Sequence, residues 1–340
     1  MAEKMKAGIY KAGMYFQGKL EAEVQEIDKP KVGPDDILVK TVRSSICGSD
    51  LTGFGPEPGK QFGHETAGYV AELGKNVKEF KKGDRVWVHP VYVMTGRYSC
   101  QLGGFSEYIL VPGAKAGVGA WHLPDTVSYD EASLIEPFGV GTRGKNRPGA
   151  KPGDNVVLYG AGSIGLLCIS ALVAQGITPV VVDIVLSDYK RALLKKMGVV
   201  IAPLPGEGDK FEFFTEHFGT LPGRQSGTAI NVDIVVDCAG ASNIIEDFLK
   251  LRKENSRLSI VGLGKPQELA VASLMTEAVI MGSSGYNDSD IQEVIDILAS
   301  GRTFAKEIIT HHYPLEKLQE ALEMAADKTQ AIKVVIDMEN

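Results

Sequence analysis

Two rhythms of hydrophobic and polar positions divide the chain. Up to about residue 140, short β-rich runs alternate with breakers. Ile37-Leu38-Val39-Lys40-Thr41-Val42 and Arg85-Val86-Trp87-Val88 read as strands. Lys29-Pro30, Gly33-Pro34-Asp35, Gly59, Lys82-Gly83-Asp84 and Pro112-Gly113 read as the turns between such runs. Ser128 and Glu131 have capping-box spacing, which predicts a helix just after Ser128. Arg143 to Asp154 is basic and punctuated by Gly and Pro, and reads as a hinge. The period then changes to strand, helix, strand. Val156–Tyr159, Val180–Asp183, Ile234–Asp237 and Leu258–Val261 are short apolar strands. Helices are predicted from Ser163 to Gln175, along the Tyr189, Leu193, Met197 stripe, and along Ile291, Val294, Ile295 and Leu298. That alternation implies a doubly wound parallel sheet covered on both faces. From Ile308 the chain reads strand, helix (Leu315, Leu318, Leu322) and strand (Ile332 to Ile336).

Composition narrows the class. With 340 residues, two domains are expected. Hydrophobic residues at 44% and charged residues at 23% suit a protein with a substantial core. The net charge of −7 argues against a nucleic-acid partner. The segment Met1 to Gly13 has no apolar signal core, so a cytoplasmic location is expected. From Asn155 to Val182 no residue is charged, but Gly160, Gly162, Gly165, Gly176 and Pro179 interrupt the run. It reads as a buried strand-helix-strand and not as a membrane span. The four cysteines, Cys47, Cys100, Cys168 and Cys238, contain no C-x-x-C pair, which excludes a disulfide framework. Cys168 falls on the apolar helix and is expected in the core.

Glycine is abundant, at 39 residues, and six-residue turn chemistry explains part of it. Gly160-Ala161-Gly162-Ser163-Ile164-Gly165 is G-x-G-x-x-G between an apolar strand and an apolar helix. In that setting the glycines shape a turn that brings backbone N–H groups and a helix N-terminus to a pyrophosphate. Asp183 ends the next strand, 18 residues past Gly165, where an acid hydrogen-bonds the adenosine ribose. A 2′-phosphate would meet its negative charge, so NAD is favoured over NADP. Lys190 is a second candidate for the ribose, or a solvated helix lysine.

Cys47, His64, Glu65 and Glu136 have the donor atoms of a zinc site, although spacing alone does not show that they meet. Gly63-His64-Glu65-x-x-Gly68-x5-Gly74-x-x-Val77 is similar to the zinc-alcohol-dehydrogenase signature of the medium-chain dehydrogenase/reductase superfamily. Cys47-Gly48-Ser49-Asp50, Gly83-Asp84-Arg85-Val86, Gly103-Gly104-Phe105-Ser106-Glu107-Tyr108 and the glycine-rich turn follow in that family's order. Leu134-Ile135-Glu136-Pro137 resembles the sorbitol (polyol) and threonine dehydrogenase branch.

The resemblance, which spans essentially the whole chain, implies a GroES-like catalytic domain made of 1–142 with 307–340, and a Rossmann domain over 143–306, acting as an oxidoreductase. One catalytic zinc would bind Cys47 and His64, with Glu65 and Glu136 as direct, water-mediated or exchanging ligands and Asp50 orienting His64. Cys238, Ala239, Val261, Gly262, Leu263, Gly285 and Tyr286 would lie along the cofactor. Ser49 would pass the alcohol proton outward. Thr52 stands where the family has a relay histidine, so water or Glu65 would substitute. Only Cys100 lies between Arg85 and Gly103, so no structural zinc is expected. The substrate would be a secondary alcohol: a polyol, sugar alcohol or related vicinal hydroxyl compound. Arg143, Lys145, Arg147 and Lys151 leave open an anionic substrate or a solvated basic hinge. His89, Tyr92, Arg97 and Tyr98 are pocket or subunit-contact candidates. Thr276 to Gly282 is a candidate edge strand for a homodimer or homotetramer. Two rival functions are a zinc-free NADPH-dependent quinone or enoyl reductase and a non-enzymatic NAD-binding protein on the same fold.

Overall fold

The computed structural model of the chain describes residues 3–53, 57–90, 103–224, 227–264, 267–269 and 275–339. The chain forms two compact units, Met1–Pro137 with Ala305–Asn340, and Phe138–Phe304. The sequence placed the divisions at residues 142 and 306. A continuous helix, Ile135–Asn146, occupies the first part of the expected hinge.

In the first unit a mixed, mainly antiparallel sheet runs, among the described residues, in the order Ile309–Pro314, Lys333–Asp337, Ile37–Ser45, Glu65–Leu73, Arg85–Val88, Ala120–His122. Tyr108–Val111 also pairs with Ile37–Ser45. Alternating apolar positions bury one face on Ile37, Val39, Val70, Val86, Val88, Ile109 and Val111. The C-terminal helix Leu318–Ala326 places Leu318 and Leu322 against Phe62, Phe105 and Ile336. Its following strand, Lys333–Asp337, then joins Ile37–Ser45 in antiparallel register, Val335 opposite Ser45. The capping box forms as predicted: Ser128 Oγ accepts the Glu131 N–H while Glu131 accepts the Ser128 N–H.

In the second unit the sheet order is Val200–Ile201, Val180–Val182, Val156–Tyr159, Ile234–Asp237, Arg257–Ile260, Val279–Gly282, all parallel. The chain winds outward from Val156–Tyr159 in one direction and from Ile234–Asp237 in the other. The crevice for a ligand in such a sheet opens where the order reverses, at the C-terminal ends of those two strands. Both strands are wholly buried, as the unbroken apolar runs predicted. The uncharged stretch resolves into strand, helix Ser163–Ala174 and strand, and Cys168 is buried in that helix. Among the described residues no helix is long and apolar enough to cross a membrane.

Candidate functional site

Strand pairing assembles the metal candidates. Ser45 ends one strand, Glu65 begins the next, and the two are register partners. Cys47 therefore lies just beyond one strand end and His64 just before the other, and the 17-position interval between them closes to a point. One donor atom each from Cys47, His64 and Glu65 lie within 4.8 Å of one another. A thiol, an imidazole and a carboxylate leave a fourth tetrahedral position for water or substrate. Glu136, the second residue of Ile135–Asn146, stands outside this group of three but close enough to interact electrostatically with His64, Glu65, Lys333 and Asp50.

The surroundings hold these groups from several sides. Cys47 caps the short helix Gly48–Thr52, and its N–H donates to Asp50 Oδ2 at 2.9 Å. Asp50 Oδ1 stands 3.7 Å from His64 Nδ1, a charge contact too long for a hydrogen bond. The Thr52 hydroxyl donates back to the Ser49 carbonyl at 3.4 Å, and Ser49 is half-buried on the same turn. Sequence reasoning missed two members of the cluster. Lys333 Nζ lies 2.5 Å from Glu65 Oε2, and the Ser45 hydroxyl donates to that same oxygen. The signal for Lys333 was a single cation inside the apolar strand Ile332 to Ile336.

Burial dominates the protonation of these protein groups. It pushes the Cys47 thiol up, Glu65 adds to the rise, and His64 opposes it. It raises Glu136 to about 7 and Asp50 to about 6, with His64 pulling both down. Burial works against the Lys333 ammonium, but attraction to Glu65, Cys47 and Glu136 outweighs it and holds the group above the ordinary lysine value. Glu65 Oε1 and Glu136 Oε1 are buried with no hydrogen-bond partner among the described residues. Buried carboxylate oxygens in that state are costly unless a cation or donor engages them. The donor set and its bare oxygens fit a divalent cation.

The glycine-rich turn lies at the switch point of the parallel sheet. Gly160 has φ 92°, and a β-carbon there would sit 2.9 Å from Ala239, which follows the strand across the switch. A β-carbon on Gly165 would lie 1.8 Å from the Gly160 carbonyl oxygen, so that carbonyl packs directly on the helix. Gly162 caps the 12-residue helix Ser163–Ala174, and a β-carbon on it would meet no atom within 4 Å. Ser163 and Ile164 open that helix and are half-buried. A glycine-lined helix N-terminus with open space beside it fits a pyrophosphate, which binds such ends through backbone N–H groups.

Asp183 is tied into the turn. Its Oδ2 accepts the Ala161 N–H at 2.6 Å, and its Oδ1 accepts the N–H groups of Ile184 and Val185 at 2.7 and 3.0 Å. Lys190, on helix Asp188–Lys196, gives its N–H to the capping Ser187 hydroxyl. On the other side of the crevice, Cys238 is half-buried and the Val261 and Gly262 N–H groups both donate to the Asp237 carbonyl at 2.9 Å. Leu263 is 92% exposed. Gly285 has φ 60°, and the Tyr286 ring packs against Gly139.

The basic segment is occupied by local partners. Arg143 meets Asp290 at 3.4 Å, Lys145 meets Glu293 at 2.7 Å, and Lys151 meets Asp154 at 2.9 Å. Arg147 Nε donates to the Gly282 carbonyl. The segment is therefore not the solvated hinge that the sequence suggested: Lys145 is fully buried, and each of these cations has a partner within the chain. His89 is buried, with its ring 5.1 Å from that of Trp87. Tyr92, Arg97, Tyr98 and Cys100 lie outside the described residues.

Comparison with known proteins places both regions. Residues 33–125 match the family model described as alcohol dehydrogenase GroES-like domain, and residues 163–300 match the one described as zinc-binding dehydrogenase. The chain is 28% identical to sorbitol dehydrogenase of Bacillus subtilis, covering 93% of this chain and 94% of that one. It is 31% identical to L-threonine 3-dehydrogenase of Pyrococcus horikoshii, over 91% and 93% of the two chains. The crystal structure of 2R,3R-butanediol dehydrogenase from Bacillus subtilis superposes with a TM-score of 0.82 at 25% identity, covering 98% of this chain and all of that one.

Proposed function

The chain belongs to the zinc-type alcohol dehydrogenase family of medium-chain dehydrogenases, and from that premise we propose that it interconverts a secondary alcohol and its ketone with NAD(H) and one catalytic zinc. The observation that carries this reading is the convergence of Cys47, His64 and Glu65. A zinc-free reductase has no use for that set. The substrate class is a polyol, sugar alcohol or related vicinal hydroxyl compound. Relatives named for sorbitol, L-threonine and 2R,3R-butanediol share a secondary hydroxyl beside a second heteroatom. NAD is favoured over NADP because the Asp183 carboxylate, at the ribose end of the turn, would repel a 2′-phosphate.

Cys47, His64 and Glu65 would hold the metal, with Glu136 reaching it directly, through water or by exchange. Zinc would supply Lewis acidity toward the substrate hydroxyl, and NAD would supply the hydride acceptor. Ser49, on the turn after Cys47, would take the proton outward. Thr52 is turned to the Ser49 carbonyl and supports that turn. Residues of the glycine-rich turn orient the dinucleotide through backbone N–H groups. The edge strand Val279–Gly282, half-exposed along its length, supports a homo-oligomer formed by strand pairing.

Metal analysis beside cofactor reduction tests the reading, with NAD and NADP each offered with a panel of polyols and amino alcohols. We expect about one zinc per chain and NAD reduction by at least one vicinal hydroxyl compound. Cys47→Ser and His64→Ala should abolish both bound zinc and turnover. Undiminished turnover after chelation of the metal would refute the mechanism.

A further inference from the structure

We propose that Lys333 is a positioning residue for the metal centre: with Ser45 it holds Glu65 Oε2, so that Oε1 is kept for the cation beside Cys47 and His64. The inference rests on the metal-centre reading above and deepens it.

Strand register puts the three side chains on one face. Ser45 pairs with Glu65 on one side and with Val335 on the other, and directly paired residues share a sheet face. Lys333 lies two residues before Val335, so it shares that face too. Glu65, Ser45 and Lys333 thus face the same side of three neighbouring strands, with Lys333 two positions along from the residue paired with Ser45. Lys333 is 3% exposed and Glu65 is fully buried. A buried ion pair is weak evidence of a stabilising role, since apolar replacement of both partners is often neutral or stabilising. The division of labour within the carboxylate points to a function instead. Oε2 receives both the ammonium and the hydroxyl, while Oε1 has no hydrogen-bond partner among the described residues. A carboxylate fixed through one oxygen is a preorganised monodentate ligand, and partners of this kind orient metal ligands elsewhere in proteins.

The test is zinc affinity of the full chain, measured by competition with a chromophoric chelator. Lys333→Met should weaken binding by about 10- to 100-fold, the usual cost of losing a ligand's supporting contact. Lys333→Arg, which keeps the cation, should restore most of it. Ser45→Ala removes only the hydroxyl and should weaken binding in the same direction. That variant keeps the inference open to refutation if Lys333→Met fails to fold. In a Glu65→Gln background, Lys333→Met should change affinity little, because the lysine acts through the carboxylate charge. The visible bands of the cobalt-substituted chain should shift in Lys333→Met and return in Lys333→Arg. Wild-type affinity in Lys333→Met, or an equal loss with and without Glu65, overturns the inference. Absence of zinc binding by the wild type overturns the metal-centre reading itself, and this inference with it.

Discussion

Glu136 and Asp50 keep their protons to unusually high pH because they are buried beside other acids. The Glu136 carboxyl rises from 4.5 to about 7, and Asp50 from 3.8 to about 6. Such groups bind protons more tightly in the folded chain than in the unfolded one. Their stabilising contribution is full below the unfolded values and is lost as the pH rises through the folded values. The chelator-treated chain should therefore lose stability as the pH is raised from about 4.5 to about 7. Glu136→Gln, neutral throughout, should flatten that decline. Denaturant unfolding at a series of pH values reads the difference, and parallel curves for the two proteins would contradict it. At this scale the sequence was partly legible. Cys47 and His64 stood in recognisable motifs, whereas Lys333 and Ser45 did not, because their meaning depends on strand partners 268 and 20 positions from Glu65.

Strand-turn-helix units follow the sequence closely where one local signal dominates. The Val156–Tyr159 strand, its glycine turn and the Ser163–Ala174 helix match the predicted elements to within a residue. Gly165 is the critical point of that unit. A methyl group there would collide with the Gly160 carbonyl, so Gly165→Ala should cost about 1–3 kcal/mol of stability and weaken NADH binding at least tenfold. Fluorescence titration with NADH and thermal unfolding measure the two effects. Normal affinity in that variant would remove the turn from the cofactor site. The helix Ile135–Asn146 was not legible in the same way. Gly139, Gly141 and Gly144 depress its intrinsic propensity, and Pro137 sits in its first turn, where proline is tolerated. Its formation depends on packing: a β-carbon on Gly141 would lie 2.8 Å from the Cys168 backbone nitrogen, so small residues let two helices meet.

Across the whole molecule the two chemistries are segregated. Cys47, His64, Glu65, Glu136 and Lys333 all belong to the unit Met1–Pro137 with Ala305–Asn340. The glycine turn, Asp183 and Cys238 to Leu263 belong to Phe138–Phe304. Binding of metal and of dinucleotide should therefore be separable. Cys47→Ser should bind NADH with near wild-type affinity while losing zinc, and Gly165→Ala should retain zinc while losing NADH. Loss of both ligands in either variant would show the sites to be coupled.

The sequence by itself determined the class of protein. Hydrophobic period fixed most of the strands and helices, and the glycine turn announced a dinucleotide, because these depend on neighbours within about twenty residues. The motifs around Cys47 and His64 announced a metal. Tertiary structure decided what those motifs could not carry. It brought Cys47, His64 and Glu65 to one point and set Glu136 beside them but outside the group. It gave Arg143 and Lys145 carboxylate partners and placed a lysine from the C-terminal strand on the Glu65 carboxylate. The physical reason is register: sheet pairing joins residues hundreds of positions apart, and one pairing decides which side chains share a buried face.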